Sequence, residues 1–207
     1  HEAAPKIHEA EMALSPSNLG GAKVLPGEGA ILDEDAAKQR GRQLHILLEH
    51  LPQRDKAEWP EVARSLLGYG EEALRWAEIE PVLKEASRVL DAPHMAEWLG
   101  EGALAEVEIS ADLPELGNRR IHGFIDRLVI GDDEIRVLDY KSNAVVPDHP
   151  DQVPEGLVRQ MAAYRGALRL IHPGKPVRCA ILWTASGSVM PLSDAQLDAS
   201  LRTPPVS

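Results

Sequence analysis

The stretch RRIHGFIDRLVIGDDEIRVLDYK, residues 119–141, decides how this chain folds. Two apolar runs, Phe124–Ile130 and Ile135–Leu138, flank Gly131-Asp132-Asp133-Glu134, the pattern of a β-hairpin. If Asp132-Asp133 is a two-residue loop, paired residues have numbers summing to 265, and Asp126 falls opposite Asp139. Their Cβ atoms would then sit on one face, about 4.5–5.5 Å apart. Like charges so placed repel unless something positive lies between them, and a divalent cation is the simplest solution because Mg²⁺ and Mn²⁺ prefer carboxylate oxygens. Lys141 stands two residues beyond Asp139, about 7 Å further along the strand, within reach of a water or phosphate oxygen at such an ion. An isolated Asp-x-Lys is common on solvated surfaces. Here both acids interrupt apolar strands, which costs desolvation that a surface loop would avoid. A one-residue slip would place the acids on opposite faces, so the turn carries the inference.

Outward from the hairpin, the period is two on the upstream side, where Ala103, Ala105, Val107 and Ile109 alternate with Leu104, Glu106, Glu108 and Ser110. Earlier residues are helical. Leu44, Leu47, Leu48 and Leu51 recur at three and four before Pro52, and further helices are expected near 55–67, 70–90 and 93–99, with Pro81 breaking the longest. Residues 1–30, with scattered Pro and Gly, read as a linker or strap from a preceding region of a longer protein, and 31–207 as one domain. Downstream, 144–154 reads as a loop, Glu155–Ile171 as a helix, Pro176–Thr184 as a buried strand, Val189–Leu192 as an edge strand, and Ser193–Leu201 as a helix capped by Ser193. This order predicts an α/β domain with a mixed central sheet flanked by helices and a helical N-terminal part.

Composition narrows the function. The 207 residues carry 22 basic and 33 acidic side chains, a net −11, which excludes a polybasic coat for nucleic acid or membrane. One Cys excludes a disulfide framework and a four-Cys zinc or iron–sulfur site within the chain. No apolar run approaches the roughly 20 residues of a membrane span, and no signal-like segment opens the chain, so a piece of a cytoplasmic protein is expected.

His45 is the strongest candidate for a third ligand. It lies mid-helix among leucines, and Gly41 one turn earlier lets another element approach. His122 is about 13 Å along the strand from Asp126, too far to share an ion. His50, His94, His149 and His172 are expected at helix ends or loops. Gln160 and Tyr164, at i and i+4, share a helix face, which reads either as amphipathic core or as a polar edge turned to the hairpin. Arg159, Arg165 and Arg169 on the same helix are candidate phosphate contacts or solvated charges.

Four segments together resemble the RecB-type nuclease module of the PD-(D/E)XK superfamily, in particular the C-terminal nuclease domains of AddA-type helicase–nucleases. They are Gly41-x-x-x-His45-x-x-Leu48-x-x-Leu51-Pro52, Gly123-Phe124-Ile125-Asp126-Arg127-Leu128, Leu138-Asp139-Tyr140-Lys141-Ser142-Asn143 and Gln160-x-x-x-Tyr164. The resemblance implies a restriction-endonuclease-like core and a DNA phosphodiesterase. His45, Asp126, Asp139 and the Tyr140 carbonyl would hold Mg²⁺ or Mn²⁺. Lys141 would orient or deprotonate the attacking water, and Gln160 and Tyr164 would contact the strand or support the site. It further implies single-stranded DNA as substrate, cleaved on the 3′-ended strand during double-strand-break processing. The expected partners are the helicase region of the parent chain and a second, AddB-like nuclease subunit, with no iron–sulfur cluster. No P-loop is present, so no nucleotide is expected in this piece. Gly156-Leu157 departs from the family, which more often has an aromatic ahead of Gln160. The competing reading is a silent nuclease-like module that binds DNA ends or a partner subunit; a small-molecule hydrolase would need an aromatic-lined pocket, which 4% aromatic residues scarcely supply.

Overall fold

The computed structural model describes residues 12–25, 34–100 and 102–202. The hairpin strands, β2 (Arg119–Ile130) and β3 (Ile135–Lys141), lie at the middle of a five-stranded sheet. β1 (Ala103–Leu113) pairs antiparallel with β2, and β3 pairs parallel with β4 (Val177–Trp183) through the crossover helix α5 (Glu155–Ile171). β5 (Ser188–Leu192) closes the order β1-β2-β3-β4-β5. The sheet is therefore mixed and flanked by helices. Ser193 caps the last helix, α6 (Asp194–Arg202), by accepting the Gln196 N–H at 3.2 Å.

Each face of the sheet has its own core. On one, Ile109, Ile121, Ile125, Val137 and Ile181 pack under Leu157, Met161 and Leu168 of α5. On the other, Leu138, Tyr140, Ala180 and Leu182 pack under the helical N-terminal part. There α1 (Glu34–His50) presents Leu44, Leu47 and Leu48, all wholly buried. α2 (Trp59–Leu67), α3 (Trp76–Leu90) and α4 (Ala96–Leu99) complete that layer.

Pro81 does not break a helix as the sequence suggested. α3 begins at Trp76, six residues later than expected, so Pro81 lies in its second turn. The ring forfeits the bond to the Ala77 carbonyl. The buried stripe Ile79, Val82, Leu83, Ala86 and Val89 carries the helix through.

Of residues 1–30, the described part is 12–25. Leu14 bridges in parallel to Ile121, with its N–H bonded to the Arg120 carbonyl at 2.8 Å, where β2 has no β3 partner. Pro16 then passes over Gly123; a Cβ there would sit 2.8 Å from the Pro16 ring. Further on, Gly156 donates its N–H to the Ala22 carbonyl at 2.7 Å, and a Cβ at 156 would meet the Gly21 and Ala22 carbonyls at 2.7 Å. The chain itself thus occupies the space that a side chain at 156 would need.

Candidate functional site

β2 and β3 part company at the acids. Their pairing runs from Ile130↔Ile135 to Arg127↔Leu138, the register set by the Asp132-Asp133 loop. The ladder stops there, and that register continued by one residue sets Asp126 across from Asp139. The two carboxylates nevertheless meet different partners. Ile121, Ile125 and Leu128 all pack toward α5, and a spacing of three in a strand means that the alternation slips between 125 and 128. Asp126 sits at that slip. Its carboxylate turns along the sheet, where Oδ2 accepts the Tyr140 N–H at 2.6 Å. Asp139 keeps the phase of Val137 and faces α5. There Oδ1 accepts from Gln160 Nε2 at 2.8 Å, and Oδ2 pairs with Lys141 Nζ at 2.5 Å.

The neighbouring strand slips at the same level. Ala105↔Arg127 and Val107↔Ile125 bracket Glu106, which therefore lies across from Asp126. Glu106 has a left-handed backbone, φ 48°, an arrangement that costs a non-glycine residue about 1–3 kcal/mol. One ligand atom from each of Glu106, Asp126 and His45 lies within 4.8 Å of the others. Glu106 is the residue that sequence reasoning missed. Its polar phase between Ala105 and Val107 reads as an outer face, and the β1–β2 register that pairs it with Asp126 crosses a five-residue turn, 114–118, that fixes register less tightly than a two-residue loop.

α1 brings the imidazole. His45 Nε2 is 3.1 Å from the Tyr140 carbonyl and Nδ1 is 3.6 Å from Asp126 Oδ1, with the ring edge-on to Tyr140 at 5.6 Å. Gly41 allows this approach, since a Cβ there would sit 2.8 Å from Ser142 Oγ. Arg127, 2% exposed, ties three elements together: Nη2 donates to the Leu48 carbonyl at 2.8 Å and Nε to the Tyr140 hydroxyl at 3.0 Å. From α5, Tyr164 donates its hydroxyl to the Phe124 carbonyl at 2.6 Å and lies 3.3 Å from Gln160 Nε2. Both α5 side chains are buried, with their polar ends turned onto site residues.

His45, Asp126, Asp139, Tyr140, Lys141, Gln160 and Tyr164 are thus gathered at one end of the hairpin. The α5 arginines are not. Arg165, 3% exposed, pairs with Asp194 at 2.6 Å and with Asp198, holding α6. Arg159, equally buried, pairs with Glu155 at 2.5 Å, while Arg169 leans toward Asp194 and Asp198 at 3.7 Å each. Arg159 and Arg165 are structural ion pairs, drawn inward because a buried guanidinium must be matched, whereas Arg169 stays exposed. His122 stays off the site, 2.8 Å from Glu108.

Burial pushes the Asp126 carboxyl well above the usual carboxylate range, and the Asp139 charge pushes the same way. Glu106 is raised too, by burial and then by Glu49. Burial lowers the His45 imidazole below 6.5 against the pull of Asp139, which keeps it neutral, and so able to ligate, at pH 7. Burial opposes the Lys141 ammonium, yet Asp139 and Asp126 outweigh it and hold the group above its ordinary value. Three carboxyl groups face one ammonium here, and burial disfavours ionising Asp126 and Glu106 unless a cation joins them. The carboxylate oxygens and the Tyr140 carbonyl are donors of the kind that suit Mg²⁺ or Mn²⁺, and the neutral imidazole adds one nitrogen donor.

A family model of the PD-(D/E)XK nuclease superfamily matches residues 20–192. The chain is also 30% identical over 183 residues to an ATP-dependent helicase/nuclease protein of Desulforamulus reducens. That match takes in 77% of this chain and 14% of the relative, so the chain spans about one-seventh of that protein. With the mixed sheet, its flanking helices and the acids gathered at the parting strands, the match over most of its length means that the chain belongs to the PD-(D/E)XK nuclease superfamily.

Proposed function

We propose that this chain is a divalent-metal-dependent nuclease domain that hydrolyses phosphodiesters of single-stranded DNA, within a helicase–nuclease that processes double-strand breaks. The observation that carries the reading is the cluster of His45, Glu106 and Asp126 ligand atoms within 4.8 Å, with the Asp139–Lys141 pair beside it. His45, Glu106, Asp126, Asp139 and the Tyr140 carbonyl would hold the ion. When bound, Mg²⁺ or Mn²⁺ lowers the pKa of a water and stabilises charge on the phosphate.

The chain's own groups do the rest. Lys141, kept protonated by two acids, offers an N–H donor and a positive charge to the scissile phosphate or to the attacking water. Gln160 holds Asp139 from behind, fixing which oxygen faces the reaction. Arg127 locks Tyr140, and with it the carbonyl that meets His45. Tyr164 fixes the β2 backbone just ahead of Asp126. Gln160 and Tyr164 serve the site as supports, since both are buried. Likeness to a helicase/nuclease over one-seventh of that protein's length supports a motor elsewhere in the parent chain; a second nuclease subunit as partner is what the family resemblance implies.

The test is a Mg²⁺ and Mn²⁺ titration with end-labelled single-stranded DNA, run with and without EDTA. Cleavage should appear with either ion, vanish with EDTA, and fall at least 1,000-fold (about 4 kcal/mol of barrier) in Lys141→Ala while Mn²⁺ binding persists. Cleavage that survives chelation, or that Lys141→Ala leaves intact, overturns the assignment.

A further inference from the structure

The chain contains one Phe, and it is not spent on either core. Phe124 is 49% exposed, while its neighbour Ile125 is wholly buried against α5. By strand alternation the phenyl ring points away from α5. It stands two residues before Asp126, about 6–7 Å along β2, which is within the reach of one nucleotide. An isolated exposed apolar residue needs no explanation. This one has a built setting.

Three contacts hold the ring's surroundings rigid. The Phe124 carbonyl accepts the Tyr164 hydroxyl at 2.6 Å, from the same helix that supports Asp139. Gly123 is pressed beneath Pro16, whose ring would be 2.8 Å from any Cβ there. His122 meets the phenyl edge-on, centroids 5.8 Å apart, and is itself pinned by Glu108 at 2.8 Å. Glu108 sits directly across from Phe124 on β1. The result is an aromatic face with a fixed backbone and an acceptor at its rim, next to the candidate reaction centre.

We propose that Phe124, edged by His122, is the platform on which a nucleobase of the single strand stacks, one nucleotide from the phosphate at the His45–Glu106–Asp126 cluster. The proposal rests on the nuclease reading above and adds how the strand is placed. Stacking suits this molecule because it involves no charge. A surface of net −11 gains little from phosphate neutralisation, whereas every base has a π-face and the contact is indifferent to sequence. The Glu108 carboxylate would repel a phosphate but can accept from the exocyclic amines of adenine, cytosine or guanine. The charge pattern therefore favours a base, not the backbone, at this spot.

The test separates binding from cutting. Oligonucleotides carrying 2-aminopurine are titrated with the protein in EDTA, where no hydrolysis competes. Wild type should quench the fluorophore. Phe124→Ala should lose the quenching and bind about 5–100-fold more weakly, as expected for one lost base–aromatic stack. Phe124→Leu, similar in bulk but without a π-face, should behave like Ala, and Phe124→Trp should restore both signals. With Mn²⁺ present, the Ala variant should raise KM by a similar factor, a larger change than in kcat. An absence of quenching by wild type, or equal quenching by wild type, Ala and Leu variants, overturns the platform. If wild type quenches through Phe124 yet cuts with neither ion, the platform stands and the nuclease reading falls. Cleavage with unchanged KM in the Ala variant removes the platform and leaves the nuclease reading in place.

Discussion

Asp126 carries a charge that the fold alone does not favour, because its carboxyl is buried beside Asp139 and raised for that reason. The sign of the consequence follows. With a folded pKa above the unfolded one, the folded state binds the extra proton, and metal-free stability falls as pH rises through that elevated pKa. Asp126→Asn keeps an oxygen for the Tyr140 N–H but removes the repulsion. At neutral pH without metal, the variant should melt about 2–4 °C higher, corresponding to ~1 kcal/mol in a domain of this size. The same substitution should abolish Mn²⁺ binding by calorimetry. A lower melting temperature with unchanged Mn²⁺ affinity would show that the carboxylate is structural. Wild-type Mn²⁺ affinity should also climb with pH, since the ion must displace the Asp126 proton.

At the scale of elements, two contacts decide whether the site assembles. Arg127 bonds α1 at Leu48 and β3 at Tyr140 from within the sheet. Arg127→Met fills similar space but leaves both acceptors without that donor, so chemical denaturation should show a loss of about 2–4 kcal/mol. His45 would lose its fixed distance to Asp126, and Mn²⁺ affinity should drop as well. The segment over α5 depends on Gly156. A Cβ there collides with backbone oxygens of Gly21 and Ala22, which cannot rotate away as a side chain would. Gly156→Ala should displace that segment at a cost of about 1–3 kcal/mol and speed trypsin cleavage at Lys23. Gly41→Ala differs, because the atom it meets is the Ser142 hydroxyl, free to turn. Its melting temperature should stay within a degree or two of wild type.

For the molecule as a whole, acidity governs how DNA is held. The net charge is −11, and Arg159 and Arg165 pair inward instead of facing phosphates. If two or three phosphates are neutralised, the plot of log K against log salt for single-stranded DNA should have a slope no steeper than about −2, measured by anisotropy in EDTA. A slope near −5 would reveal a basic track absent from the paired arginines described. Among the described residues, no helix is long and apolar enough to cross a membrane.

Much of this architecture was legible in the letters because its causes are local. A two-residue loop fixes hairpin register, so the opposition of Asp126 and Asp139 could be read from residues 126–139 alone. The 3.6-residue period placed Gln160 and Tyr164 on one edge of α5, and Gly41 announced a close approach one turn before His45. What only the tertiary structure decided depends on distant partners. The phase slip at Asp126, the left-handed Glu106 opposite it and the third carboxylate they create require the β1–β2 register, which the loop does not encode. Arg165 and Arg169 look like phosphate contacts until α6 folds back and supplies Asp194 and Asp198. Pro81 looks like a helix breaker until α1 and α2 bury the face around it. Periodicity and turns are short-range effects, whereas burial and charge pairing take their sign from whatever the rest of the chain brings alongside.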